Sequence, residues 1–254
     1  MIREKLIAGE VGAGRRLRWR SREVSRLEGL ADAVFGFAIT LLVVSLEVPQ
    51  TFDQLLAMMR GFPAFAISFA MLLLVWYQHY AFFRRYGLED MTTMLLNAAL
   101  LFVVLFYVYP LKFVWTFLNN LILGGGDPRV RLPTGELVYP VLPEQTPKMM
   151  IIYGLGYVAV FLIFALFYLH AHRQRDALSL DALEIFHTRV EIESNLLNVA
   201  IGLISITIAA RGGIRSAALA GFCYFLLGPV LTIHGTVSGR RLKRLERKLA
   251  AAAG

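Results

Sequence analysis

Uncharged apolar runs recur along the chain at 33–46, 61–83, 91–111, 149–172, 194–210 and 216–239. Each run is continuous rather than alternating with period two, which excludes a porin-type barrel. Each is also long enough, or nearly so, to cross a bilayer as a helix. The pattern predicts helices over about 28–48, 62–84, 91–118, 148–170, 188–210 and 215–237. The expected fold class is therefore all-α, a polytopic membrane protein with six transmembrane helices. Pro49 and Pro63 punctuate the first outer loop, and 119–147 reads as an irregular outer loop around Gly124, Gly125, Gly126, Pro128, Pro133, Pro140 and Pro143. The segment 170–193 mixes charges with Leu180, Leu183 and Ile185, which suits an inner-surface helix running into the fifth span. The division expected is a basic arm over 1–25, a six-helix unit over 26–238 and a basic amphipathic tail over 239–254.

The first run is the odd one. Residues 33–46 carry no charge, but Asp32 and Glu47 bracket them. Fourteen helical residues span about 21 Å, against roughly 30 Å of hydrocarbon. At least one carboxylate then sits at or inside the hydrocarbon boundary, where a lipid-facing charge is costly. A helix shielded by others, or one lining a water-filled path, avoids that cost. Function is expected here first.

Composition sharpens the class. The chain is 57% hydrophobic and 17% charged, far from a soluble-domain average. The first 26 residues are polar and basic without an apolar core, unlike a cleaved signal peptide. The single cysteine, Cys223, permits no intrachain disulfide. The net charge of +8 is unevenly placed. The N-terminal arm, the 2–3 and 4–5 loops and the C-terminal tail hold nineteen Lys and Arg; the opposite side holds seven. This bias predicts both termini in the cytoplasm, at the cell's inner (plasma) membrane. Attraction to anionic lipid headgroups accounts for the excess, and nucleic acid is not expected as a partner.

Enzyme signatures are absent: the chain contains no HExxH, GxSxG, GxxxxGK[ST] or CxxC. His170 and His172 are two apart, so they point different ways on a helix and do not form a metal pair. Glu191, Asn195 and Asn198 share a helical face and suit a polar contact between helices. In the tail, Leu242, Leu245 and Leu249 make a basic amphipathic helix for the membrane surface or a partner.

The first span offers more. Phe37, Thr40, Leu41 and Val44 fall at i, i+3, i+4 and i+7 and form one stripe. Around an axis of repeated helices this stripe would give apolar rings alternating with hydroxyls, able to gate by dewetting and to offer oxygen to a cation. A second reading stays open, because Ala33, Gly36 and Thr40 also make a small-residue face suited to close packing. Asp32 is six residues from Arg26, about 240° round the helix, and Glu28 one turn away repels it. Its partner must come from another helix. Trp76 and His79 in the second span and Asn97 in the third are candidates, and a buried Asp–His–Asn cluster would pin three spans together.

Arg26-x-x-x-Leu30-Ala31-Asp32, followed by Ala33-Val34-Phe35-Gly36-Phe37-Ala38-Ile39-Thr40-Leu41-Leu42-Val43, resembles the first-helix signature of the transmembrane protein 175 family, the endosomal and lysosomal potassium channels and their bacterial relatives. Trp76, His79 and Asn97 look like further matches, and six spans fit the bacterial members. The resemblance implies a homotetramer with potassium as permeant ion, no cofactor and no catalytic chemistry. It implies a central pore lined by the first helix, with the constriction at Phe37, a pore-facing Thr40, and further apolar rings at Leu41 and Val44. Arg26, Asp32, Trp76, His79 and Asn97 would set the geometry of that helix. Two positions depart from the family pattern: the signature Phe-Ser is Leu30-Ala31, and Phe37 is bulkier than the usual aliphatic. Two rival functions are a proton or cation transporter titrating Asp32 and His79, and a non-conducting scaffold that binds anionic lipid.

Overall fold

The computed structural model describes residues 20, 24–44, 48–123, 129–132 and 134–252. Most of the basic arm, Ser45, Glu47, Gly124, Gly125, Gly126, Pro128 and Pro133 lie outside the described residues. Along the chain come α1 (Arg26–Val44), α2 (Phe52–Arg60), α3 (Phe62–Tyr86) and α4 (Met91–Leu123). A two-stranded antiparallel hairpin follows, β1 (Val130–Arg131) and β2 (Leu137–Val138), pairing Val130 with Val138 and Arg131 with Leu137. Then come α5 (Thr146–Arg173), α6 (Ala182–Ala209), α7 (Ile214–Cys223), a single 3₁₀ turn over Tyr224–Leu226, and α8 (Leu227–Ala252). Six helical segments among the described residues are long and apolar enough to cross a membrane: α1, α3, α4, α5, α6 and the α7–α8 rod. The polytopic all-α architecture expected from the apolar runs is the one observed.

Local chemistry sets the boundaries. The Thr51 side chain accepts from the Gln54 N–H at the start of α2, which occupies the first outer loop. Pro63 lies in the first turn of α3, where its missing N–H costs nothing. Gly87 ends α3 at φ 59, a left-handed position that glycine takes without a Cβ penalty. The fifth span begins at Ala182, six residues earlier than the apolar run suggests, because Asp181 and Glu184 form a complete capping box. It thereby absorbs Leu183 and Ile185 of the expected surface segment. At the far end α8 runs through the expected boundary at 239 as one helix.

The core lies among α1, α3, α4 and α5, with α6 packed most extensively on α5. Aromatic rings fill it. Phe82 sits 4.8 Å from Phe167 and 5.3 Å, edge-on, from Tyr168, and His79 lies 4.5 Å from Phe83. Edge-to-face contacts of this kind add about 0.5–1.5 kcal/mol each beyond area burial. The outer surface stays apolar: Phe102, Phe106, Leu74 and Phe225 are all more than 60% exposed. Apolar surface on this scale requires lipid or another subunit to cover it.

Candidate functional site

α1 has two unlike faces. Ala31, Phe35, Ala38 and Leu42 are at most 2% exposed and pack against α3 and α4. Phe35 reaches the His79 ring at 5.9 Å. The opposite face is open. Phe37 is 56% exposed and Val44 72%, while Ala33, Gly36 and Thr40 are exposed beside them. Leu41 is half-buried and packs against the core, so it marks the edge of the stripe rather than its centre. A Cβ added to Gly36 or Gly29 would meet nothing within 4 Å. The small-residue face is therefore not used for packing inside the subunit.

Thr40 is prepared in a useful way. Its hydroxyl donates to the Gly36 carbonyl one turn back, at 2.9 Å. With its proton committed to the backbone, the oxygen keeps its lone pairs for a donor or a cation on the open face.

The polar partners sort differently from the expected Asp–His–Asn cluster. Asp32 is exposed, and its Oδ1 accepts from Trp76 Nε1 at 2.8 Å. His79 and Asn97 form a second, separate pair, fully buried, with Nε2 2.9 Å from Oδ1. The indole rather than the imidazole reaches the carboxylate. Spacing along a chain gives depth, whereas the rotation of α3 decides which of two residues one turn apart faces α1. The Trp76 ring also stacks on Tyr80 at 5.7 Å, and the Arg84 guanidinium lies over Tyr80 at 5.4 Å. Arg26 is exposed at the start of α1.

Several polar residues at the basic end of the bundle were not singled out from sequence. Glu28 is 4% exposed, accepts from the Ser25 N–H at 2.9 Å, and lies 3.7 Å from Arg84. The Ser25-x-x-Glu28 spacing was a readable capping-box signal. Arg85 lies 3.9 Å from Glu191, and Tyr86 bonds Thr188 at 2.8 Å. Asp90 caps α4 through the Thr93 N–H and sits 2.6 Å from His170. His170 thus serves a carboxylate. Of the polar row on α6, Asn198 accepts from the Tyr157 hydroxyl of α5 at 2.5 Å, the interhelical role expected of it, whereas Asn195 donates to the Glu191 carbonyl one turn back in its own helix.

Six apolar spans, buried polar pairs at one end and a first helix with one unsatisfied face define a multi-pass α-helical membrane protein built to present that helix. Residues 26–107, which hold α1, α3 and the Asp32, Trp76, His79 and Asn97 positions, match the family described as "Endosomal/lysosomal potassium channel TMEM175". A protein from Marivirga tractuosa named "Potassium channel" is 40% identical over 245 residues, covering 95% of this chain and 98% of that one. A potassium channel from Chamaesiphon minutus is 34% identical over 96 residues, 35% of this chain and 47% of the other. Among solved structures, a threonine-to-alanine variant of the potassium channel MtTMEM175, crystallised with a nanobody–MBP fusion, superposes with a TM-score of 0.79. It shares 40% identity and covers 91% of this chain and all of that one. The chain belongs to the TMEM175 family.

Proposed function

We propose that this protein is a potassium-permeable channel of the cell's inner (plasma) membrane, formed by four copies around a pore lined by α1. The observation that carries the reading is the open face of α1: Phe37, Thr40 and Val44 point away from their own subunit. Lipid is a poor cover for that face, because it also carries the exposed Asp32 carboxylate and the Thr40 hydroxyl. Copies of the same helix around water suit it better. The number four comes from the family resemblance, and the permeant ion from the names of the relatives.

In that arrangement Phe37 makes the narrow apolar ring, which excludes water unless the rings swing aside. Thr40, one turn on, offers oxygen in place of part of the ion's hydration shell. Val44 adds an outer apolar ring, and Leu41 lines the seam between neighbouring copies. Asp32, held by Trp76, and the His79–Asn97 pair fix α1 against α3 and α4. No reaction is catalysed and no cofactor is needed; K⁺ moves down its electrochemical gradient.

The test is flux from liposomes holding purified protein, in K⁺ and in Na⁺. Phe37→Ala should raise flux or relax K⁺/Na⁺ preference, and Thr40→Ala should lower that preference. Unchanged flux and preference in both variants would remove the pore assignment. Saturable uptake coupled to protons would point instead to a transporter.

A further inference from the structure

Among the described residues, Arg20 lies ahead of the first transmembrane helix and makes several polar contacts at the basic end. Its Nη1 and Nη2 grip the two oxygens of Glu184 at 2.8 and 2.7 Å, a bidentate pair. Nε donates to the Leu178 carbonyl at 3.1 Å and Nη2 also reaches the Ser179 carbonyl at 3.4 Å. Ser179 stands at φ 50, a left-handed position rare for a residue with a side chain. The Arg20 backbone N–H donates to the Arg84 carbonyl at 3.1 Å. Glu184 is 2% exposed and also accepts from the Asp181 N–H, so its charge is taken up by the α6 cap and by Arg20 together.

The contacts converge on the foot of α1. Arg84, whose carbonyl holds the Arg20 backbone, also places its guanidinium 3.7 Å from Glu28 in the first turn of α1. The chain leading into α1 is thus pinned at two points to one turn of α3, and the Arg20 side chain ties the same point to α6 and the α5–α6 loop. The packing of α1 itself involves α3 and α4. Arg20 adds a polar link from the chain ahead of α1 to α6.

We infer that Arg20 is a positioning residue for the conducting helix: by bridging Arg84, the 178–179 carbonyls and Glu184, it fixes the inner end of α1 and so the balance between conducting and closed states. This rests on the reading of α1 as the pore helix. A guanidinium fork suits the task, since lysine could satisfy Glu184 but not both carbonyls as well.

Single-channel recording of the purified full-length protein in planar bilayers tests it, using Arg20→Gln, Glu184→Gln, the double variant and Arg20→Lys. Each glutamine variant should shift open probability at least fivefold, in the same direction. The double variant should go no further than either single one, as expected for one shared interaction. Arg20→Lys should fall between wild type and Arg20→Gln, while unitary conductance, reversal potential and assembled mass stay unchanged. Open probability within twofold of wild type in both single variants overturns the inference. So does a change confined to the yield of assembled protein, or one in unitary conductance. If Arg20→Gln does not assemble, Arg20→Lys decides by the same twofold limit. If Phe37→Ala and Thr40→Ala alter permeation while the Arg20 series does not alter gating, the anchor falls and the pore reading stands. If those two leave permeation unchanged, the pore reading itself falls.

Discussion

Asp32 illustrates how one side chain is placed by chemistry that its own helix does not supply. Arg26 lies on the wrong side of the turn, Glu28 turns inward to Ser25 and Arg84, and the Trp76 indole is left as donor. An exposed hydrogen bond to a carboxylate is worth about 1 kcal/mol. Asp32→Ala and Trp76→Phe are therefore expected to weaken the assembly by similar, modest amounts, with little added in the double variant. Size-exclusion chromatography with light scattering in detergent reads this directly. Asp90 gives a pH dependence. Burial opposes its ionisation, but the hydrogen bonds from Thr93 and His170 together outweigh this and hold the carboxyl below its ordinary range. A carboxylate favoured by the fold contributes stability above its unfolded pKa and loses it as pH falls through the lower folded value. Thermal stability in detergent should show an acid-limb loss that Asp90→Ala reduces. At neutral pH that variant should also lose about 1 kcal/mol from the missing α4 cap.

Among the elements, α5 and α6 form the rigid backing against which α1 is displayed, and glycines let their neighbours approach. A Cβ on Gly156 would lie 2.1 Å from the Tyr107 ring of α4, and one on Gly202 would lie 2.6 Å from Val158 of α5. Tyr107 is held by its hydroxyl on the Ile152 carbonyl, so its ring cannot simply step back. Gly156→Ala should then destabilise by roughly 1–2 kcal/mol, the overpacking cost reduced by alanine's better helix propensity. A lower melting temperature without altered ion preference is the expected result. α1 differs from these helices in kind. Its buried face is small and aromatic, and its open face is finished only by something outside the subunit.

For the whole molecule, apolar surface around the bundle and the open stripe on α1 make different demands. The first is met by lipid. On the proposed reading the second is met by copies of the chain, which leads to a specific outcome: with Cys223 replaced by serine, Val44→Cys should crosslink between subunits on mild oxidation, giving species of up to four chains on denaturing gels. A ladder ending at one chain, in a sample that still conducts, would place the pore elsewhere. Charge placement is expected to set how the bundle sits, since the Lys- and Arg-rich stretches of the sequence resist translocation.

Six spans, their order and the basic end were legible in the sequence because backbone inside lipid must satisfy itself, and long uncharged runs leave the helix as the available answer. The stripe on α1 was legible too, since 3.6 residues per turn places Phe37, Thr40 and Val44 together whatever surrounds them. Which face of α1 stayed open was a tertiary matter, settled by Phe35 and Leu42 finding the core instead. The same holds for Trp76 taking Asp32 while His79 took Asn97, and for Arg20 meeting a glutamate 164 positions away. Local periodicity fixes the phase of each helix about its own axis; the rotation and depth of one helix against another come from how the whole set of side chains packs, and no single segment contains that.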